Sequence, residues 1–93
     1  MTHIARLTNS FMGEWELFVV TDAPIRDWPF HEFGRTGPVP TLAERTAALT
    51  ALGYEPAEGG EWVWTESENS FAGRVELTAS LTVRTLAADR AAQ

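Results

Sequence analysis

Val75-Glu76-Leu77-Thr78-Ala79-Ser80-Leu81-Thr82-Val83-Arg84 carries the strongest structural signal in the chain. Its apolar residues alternate strictly with Glu76, Thr78, Ser80, Thr82 and Arg84, a period of two that only an extended strand turns into one apolar and one polar face. A strand of this kind is buried on one side and wet on the other, which is the habit of antiparallel sheets. Something apolar must therefore lie across its inner side.

Moving upstream, Glu61-Trp62-Val63-Trp64-Thr65-Glu66 reads as a partner strand with both Trp on one face. Ser67 to Ala72 reads as a polar turn around Asn69, with Phe71 tucked inward, so residues 61–86 form a hairpin. Ala57-Glu58-Gly59-Gly60 is a loop. Before it lies the element that covers the sheet. Thr41-Leu42-Ala43-Glu44 is a capping box, in which hydroxyl and carboxylate satisfy two orphan amides at a helix start. Leu42, Leu49 and Leu52 give the helix at 41–52 an apolar stripe. Gly53 is placed for the left-handed residue that ends it, with the Tyr54 ring against Leu49.

Residues 1–20 read as a first hairpin. Its first strand, 2–10, carries Ile4 and Leu7, and Ser10 to Gly13 make the turn. In the second strand Trp15, Leu17 and Val19 share one face and Glu14, Glu16 and Phe18 the other, so Phe18 breaks an otherwise polar surface. Pro24 to Pro40 has neither period. It holds four of the five prolines together with Ile25, Trp28, Phe30 and Phe33, a heavy apolar load for a loop. A segment of this length in a compact domain packs on its own side chains or carries function, so 24–40 is expected to be an ordered loop over an edge of the core. Residues 87–93 read as a tail. The order ββαββ predicts an α+β two-layer sandwich, a four-stranded, mostly antiparallel sheet with one helix on one face.

Composition bounds the function. Ninety-three residues make one domain, 1–93, which buries about 60–65% of its unfolded surface and relies on four Trp and five Phe for its core. No cysteine is present, which excludes disulfide staples and thiolate zinc sites. The start of the chain lacks the apolar core of a signal peptide and no stretch reaches the length of a membrane span, so the expected location is the cytoplasm, away from membranes. A net charge of −6, with seven scattered Arg and no Lys, argues against direct nucleic-acid binding.

Gly13-Glu14-Trp15, the run Trp28 to Thr36 leading into Pro38 to Arg45, Leu52-Gly53-Tyr54-Glu55-Pro56, and Trp62 to Glu66 together resemble a family of short uncharacterised actinobacterial proteins, a domain of unknown function. The resemblance covers roughly residues 13–66. It implies no catalytic or binding residue, because the family has no assigned activity.

The candidate residues come from chemistry alone. His31 beside Glu32 has the makings of an acid–base pair, but adjacent residues rarely point the same way. Neither His3, expected to be solvated, nor His31 has metal-ligand spacing, so no metal and no cofactor is expected. Asp22, Asp27, Glu14 and Glu16 could gather at one end of the sheet, most simply as a solvated acidic face. Arg35, between Gly34 and Gly37, offers a guanidinium on a backbone that a carboxylate or phosphate could approach, unless Glu32 or Glu44 pairs with it. Trp62 and Trp64 are expected beneath the helix, and Trp28 either covers the core or anchors a partner.

The reading that results is a non-enzymatic binding or adaptor domain for an unidentified protein partner, through Trp28, His31 and Arg35 or through the outer sheet face around Phe18. Self-association through an open sheet edge is a further expectation. Two alternatives carry different chemistry. One is an acidic inhibitor occupying the nucleic-acid site of another protein. The other is a small enzyme using His31 with a neighbouring carboxylate.

Overall fold

A computed structural model describes residues 2–9, 13–69 and 74–86. The turn expected at 10–12, the inward placement of Phe71 and the tail at 87–93 lie outside the described residues. Strands β1 (Thr2–Asn9) and β2 (Trp15–Val20) come first, followed by a 3-10 turn at Ile25–Asp27 and strand β3 (Phe30–Glu32). Helix α1 (Leu42–Leu52) leads into β4 (Tyr54–Pro56), β5 (Val63–Asn69) and β6 (Arg74–Thr85).

The class is α+β, as expected, but among the described residues the order is βββαβββ and the sheet has six strands instead of four. Every pairing is antiparallel, in the order β3-β2-β1-β6-β4, with β5 on the same edge of β6 as β4. Tyr54–Pro56 pairs with Thr85–Val83 and Val63–Asn69 with Ser80–Arg74, so β4 and β5 are one edge strand interrupted by residues 57–62. Gly60 sits in the interruption, where a Cβ would stand 3.0 Å from both the Ala57 and the Thr82 carbonyl oxygens. Two of the strands escape the sequence reading because three residues hold no readable period. Pro29 precedes one and Pro56 ends the other, and proline removes a ladder donor. The turn expected from Ser67 starts later, since β5 continues to Asn69 opposite Arg74.

One face of the sheet is dry. Ala5 and Leu7 of β1, Trp15, Leu17 and Val19 of β2, and Ala79, Leu81 and Val83 of β6 are buried with Ala48 and Leu49 of the helix. Each buried leucine contributes about 2 kcal/mol. In β1 the inward set is Ala5 and Leu7, whereas Ile4 faces outward and is 37% exposed. His3 is half-buried on the inner side, its ring edge-on to Tyr54 at 5.8 Å, and is not the solvated side chain expected.

Both helix ends follow the sequence. Thr41 Oγ1 accepts from the Glu44 amide at 3.1 Å, Glu44 Oε1 accepts from the Thr41 amide at 2.8 Å, and Gly53 takes φ +92°. The covering face differs from the expected stripe. Leu42 is 60% exposed, and Arg45 takes its place in line with Ala48, Leu49 and Leu52. The Arg45 guanidinium lies over Trp62 at 5.0 Å and Trp64 at 5.6 Å, so both rings are on the helix side of the sheet. Trp62 is only half-buried, however, and Trp64 is 42% exposed, so they do not lie beneath the helix as expected. Its Nη1 is buried with no hydrogen-bond partner among the described residues, and burial lowers its pKa. Indole faces stand where acceptors usually would.

Candidate functional site

The loop expected at 24–40 is ordered by β2 and the helix. Trp15 donates its amide to Arg35 O at 3.0 Å, accepts from the Phe33 amide at 3.0 Å, and donates its indole N–H to Gly37 O at 3.1 Å. Arg35 then reaches the helix start, where Nη1 and Nη2 donate to the two Glu44 carboxylate oxygens at 2.9 and 2.7 Å and Nε donates to Pro38 O at 3.1 Å. All three sides of the fork are engaged within the chain. The guanidinium holds the Glu44 carboxyl well below the usual range, at about 2.

His31 lies opposite Leu17, on the helix side, half-buried with its ring edge-on to Phe33 at 4.8 Å. Glu32, the next residue, pairs with Glu16 and faces the other way. The imidazole and its neighbouring carboxylate therefore stand on opposite faces of the sheet.

Phe18 and Trp28 do come together, on the face that the helix leaves bare. Alternation turns Phe18 outward from β2, and register places it between Phe30 of β3 and Arg6 of β1. The 3-10 turn brings Trp28 back over it. The two rings stack at 5.9 Å with 14° between their planes, and the indole N–H donates to Ala23 O at 2.9 Å. Phe30 is 59% exposed and Ile25 74% exposed beside the stack. An open groove of about 420 Å³ results, lined by Glu16, Phe18, Ile25, Arg26, Trp28 and Phe30.

Acid borders the groove along one side. Glu16 and Glu32 are direct cross-strand neighbours, and with Glu14, Trp15 and Gly34 they line a smaller hollow of about 90 Å³. Partial burial, then the charges of Glu32 and Glu14, raise the Glu16 pKa. Like charges directly opposite each other are destabilising, and no cation among the described residues is hydrogen-bonded to either carboxylate. The gathering anticipated for Glu14 and Glu16 thus takes Glu32 as its third member, not Asp22 or Asp27. Among the described residues no group of three or more His, Asp or Glu is arranged to hold a metal ion.

Sequence reasoning missed Phe30, Ile25 and the Glu16–Glu32 pair as parts of one surface. The signal was present in Phe30-His31-Glu32, whose alternation sends the first and third residues outward, but it becomes readable only once these residues are seen to pair with β2.

These features define a small antiparallel α+β domain with a covered inner face and an aromatic, acid-bordered outer face. The chain belongs to the family of unknown function DUF6303, whose model matches residues 1–91, beyond the 13–66 that carried the sequence resemblance. Nothing among curated proteins or solved structures matches it. Among the described residues no helix is long and apolar enough to cross a membrane.

Proposed function

We propose that this protein is a non-enzymatic binding domain, working in the cytoplasm, whose contact surface for another protein is the outer-face groove around Phe18, Trp28 and Phe30. The single observation that supports this most is the Phe18–Trp28 stack with Phe30 and Ile25 exposed beside it. Exposed apolar side chains are common singly, but a contiguous aromatic cluster rimmed by charge is the composition of interaction sites. The Trp28 ring is fixed from both sides, by Phe18 and by Ala23 O, so little side-chain entropy remains to be lost on binding. Arg35 and His31 act in this reading as scaffold. The first ties the loop to α1, and the second lies on the helix side.

A photocrosslinking residue placed at position 30 in the native cell tests the proposal. Adducts with a host protein that vanish in Trp28→Ala and do not form from position 50, exposed on the helix, are the expected result. Identical adducts from both positions, or none from position 30, would sink it.

A further inference from the structure

The groove opens onto a sheet edge. Strand β3 ends the sheet, and the groups of Leu17 and His31 face each other across its pairing with β2. Val19 donates to Pro29 O at 2.9 Å and Phe33 donates to Trp15 O at 3.0 Å, so residues 29, 31 and 33 use their backbone toward β2. Alternation then turns the N–H and C=O groups of Phe30 and Glu32 away from the sheet. Among the described residues no backbone hydrogen bond meets them. Their side chains, meanwhile, stand on the outer face, one at the aromatic groove and one at the Glu16–Glu32 pair.

We infer that the groove receives an extended peptide segment that adds antiparallel to β3 and carries Lys or Arg two residues before an apolar side chain. The inference rests on the groove being the contact surface. Four backbone bonds at Phe30 and Glu32 supply sequence-independent attachment, as in other cases of strand addition. Antiparallel pairing sets the order: the peptide residue opposite Glu32 comes first, and the residue opposite Phe30 follows two positions later on the same face. The cation meets two carboxylates that repel each other, and the apolar side chain enters against Phe30, Phe18 and Trp28. Charge complementarity decides the first position, because Glu16 and Glu32 face each other with no ion-paired cation among the described residues. The opposite edge suits a partner less well. On β5, Glu66 lies opposite Leu77 on the inner face, and an inward charge is a common guard against edge pairing.

Fluorescence anisotropy with short labelled peptides in a Ser/Thr background tests this. One peptide has Arg and Leu two apart, a second has them adjacent, and a third has Glu in place of Arg. The spaced peptide is expected to bind, with the other two weaker by about tenfold or more, the equivalent of one lost contact. Glu16→Gln with Glu32→Gln should bring the spaced peptide down to the level of the Glu peptide and flatten its salt dependence, with the far-ultraviolet circular dichroism unchanged. N-methylation of the Arg and Leu amides should abolish binding, and N-methylation of the residue between them should not. Equal binding of spaced and adjacent peptides, or indifference to methylation, overturns the inference. So does silence from every peptide. If the peptides are silent while position 30 still gives Trp28-dependent adducts with a host protein, the groove stands and strand addition falls. Adducts with a second copy of this chain would instead make self-association the occupant and overturn the peptide. Silence in both experiments removes the groove as well.

Discussion

At the scale of single residues, two glutamates titrate in opposite senses, and the difference separates scaffold from surface. Glu44 is held at about 2 by Arg35 and by the Thr41 amide, below the ordinary glutamate value of 4.5. A depressed carboxyl contributes stability that is present above its unfolded pKa and is lost as pH falls from there through the folded value. Glu44→Gln should therefore lower the urea midpoint at pH 7, and the difference from wild type should shrink below pH 4.5 and be nearly gone at pH 2. Glu16 is raised above 4.5, by burial first and by Glu32 and Glu14 after it. Here the native state binds the proton more tightly, so stability declines as pH rises from 4.5 through the folded pKa. Glu16→Gln is expected to raise the melting temperature at pH 7, with the gain disappearing below pH 4. A loss of stability at neutral pH would show that Glu16 has a stabilising partner after all. On our proposal, the partner's cation relieves the repulsion between Glu16 and Glu32.

At the scale of elements, the helix was legible at its ends and misread on its face. Thr41, Glu44 and Gly53 act within one turn of backbone, so their chemistry is local and the sequence carries it. Which face is buried depends on where the helix crosses the sheet, and that put Leu42 outside and Arg45 inside. An inward arginine breaks an apolar stripe unless something meets it, and the Trp62 and Trp64 faces do. With Trp64 42% exposed, the cation–π contact is worth about 1–2 kcal/mol, whereas an orphaned buried donor such as Nη1 costs about 1–3 kcal/mol. The two terms nearly cancel. Arg45→Met, which keeps the apolar stem and drops the charge, is therefore expected within about 1 kcal/mol of wild type in urea unfolding. Arg45→Ala also loses the stem and should cost about 1–3 kcal/mol more. If the methionine variant loses as much as the alanine, the cation–π contact outweighs the orphaned donor. The interrupted edge strand was legible only in part. Gly59-Gly60 read as a loop, but nothing local showed that the chain on either side pairs with the same edge of β6. Gly60 marks the place, since Gly60→Ala presses a methyl to 3.0 Å from two carbonyl oxygens and should destabilise by about 1–3 kcal/mol.

For the whole molecule, the two faces of the sheet make different demands on substitution, and the neighbouring strands β2 and β3 allow the comparison. Period-two alternation told which residues of β2 and β6 share a face. It showed one covered face and one wet face, but it could not show that the Trp28 turn folds back across the wet one. The aromatic surface was therefore visible as separate residues and not as a site. Leu17 is fully buried in the core, and Phe30, on the adjoining strand β3 and the opposite face, is 59% exposed. A domain of 93 residues has a total stability of about 5–14 kcal/mol. Leu17→Ala removes about 3 kcal/mol of this and should lower the melting temperature by about 12–24 °C. Phe30→Ser deletes a larger side chain, yet most of its surface is already in water, so it should change stability by no more than about 0.5 kcal/mol. Thermal melts of the two variants decide whether the aromatic groove is a surface or part of the core. If Phe30→Ser melts as low as Leu17→Ala, the groove is closed in solution and Phe18, Trp28 and Phe30 hold the domain together. If Phe30→Ser melts with wild type and loses the position-30 surface as a site of contact, the aromatic face is maintained at no benefit to folding, and its use must lie in what it touches.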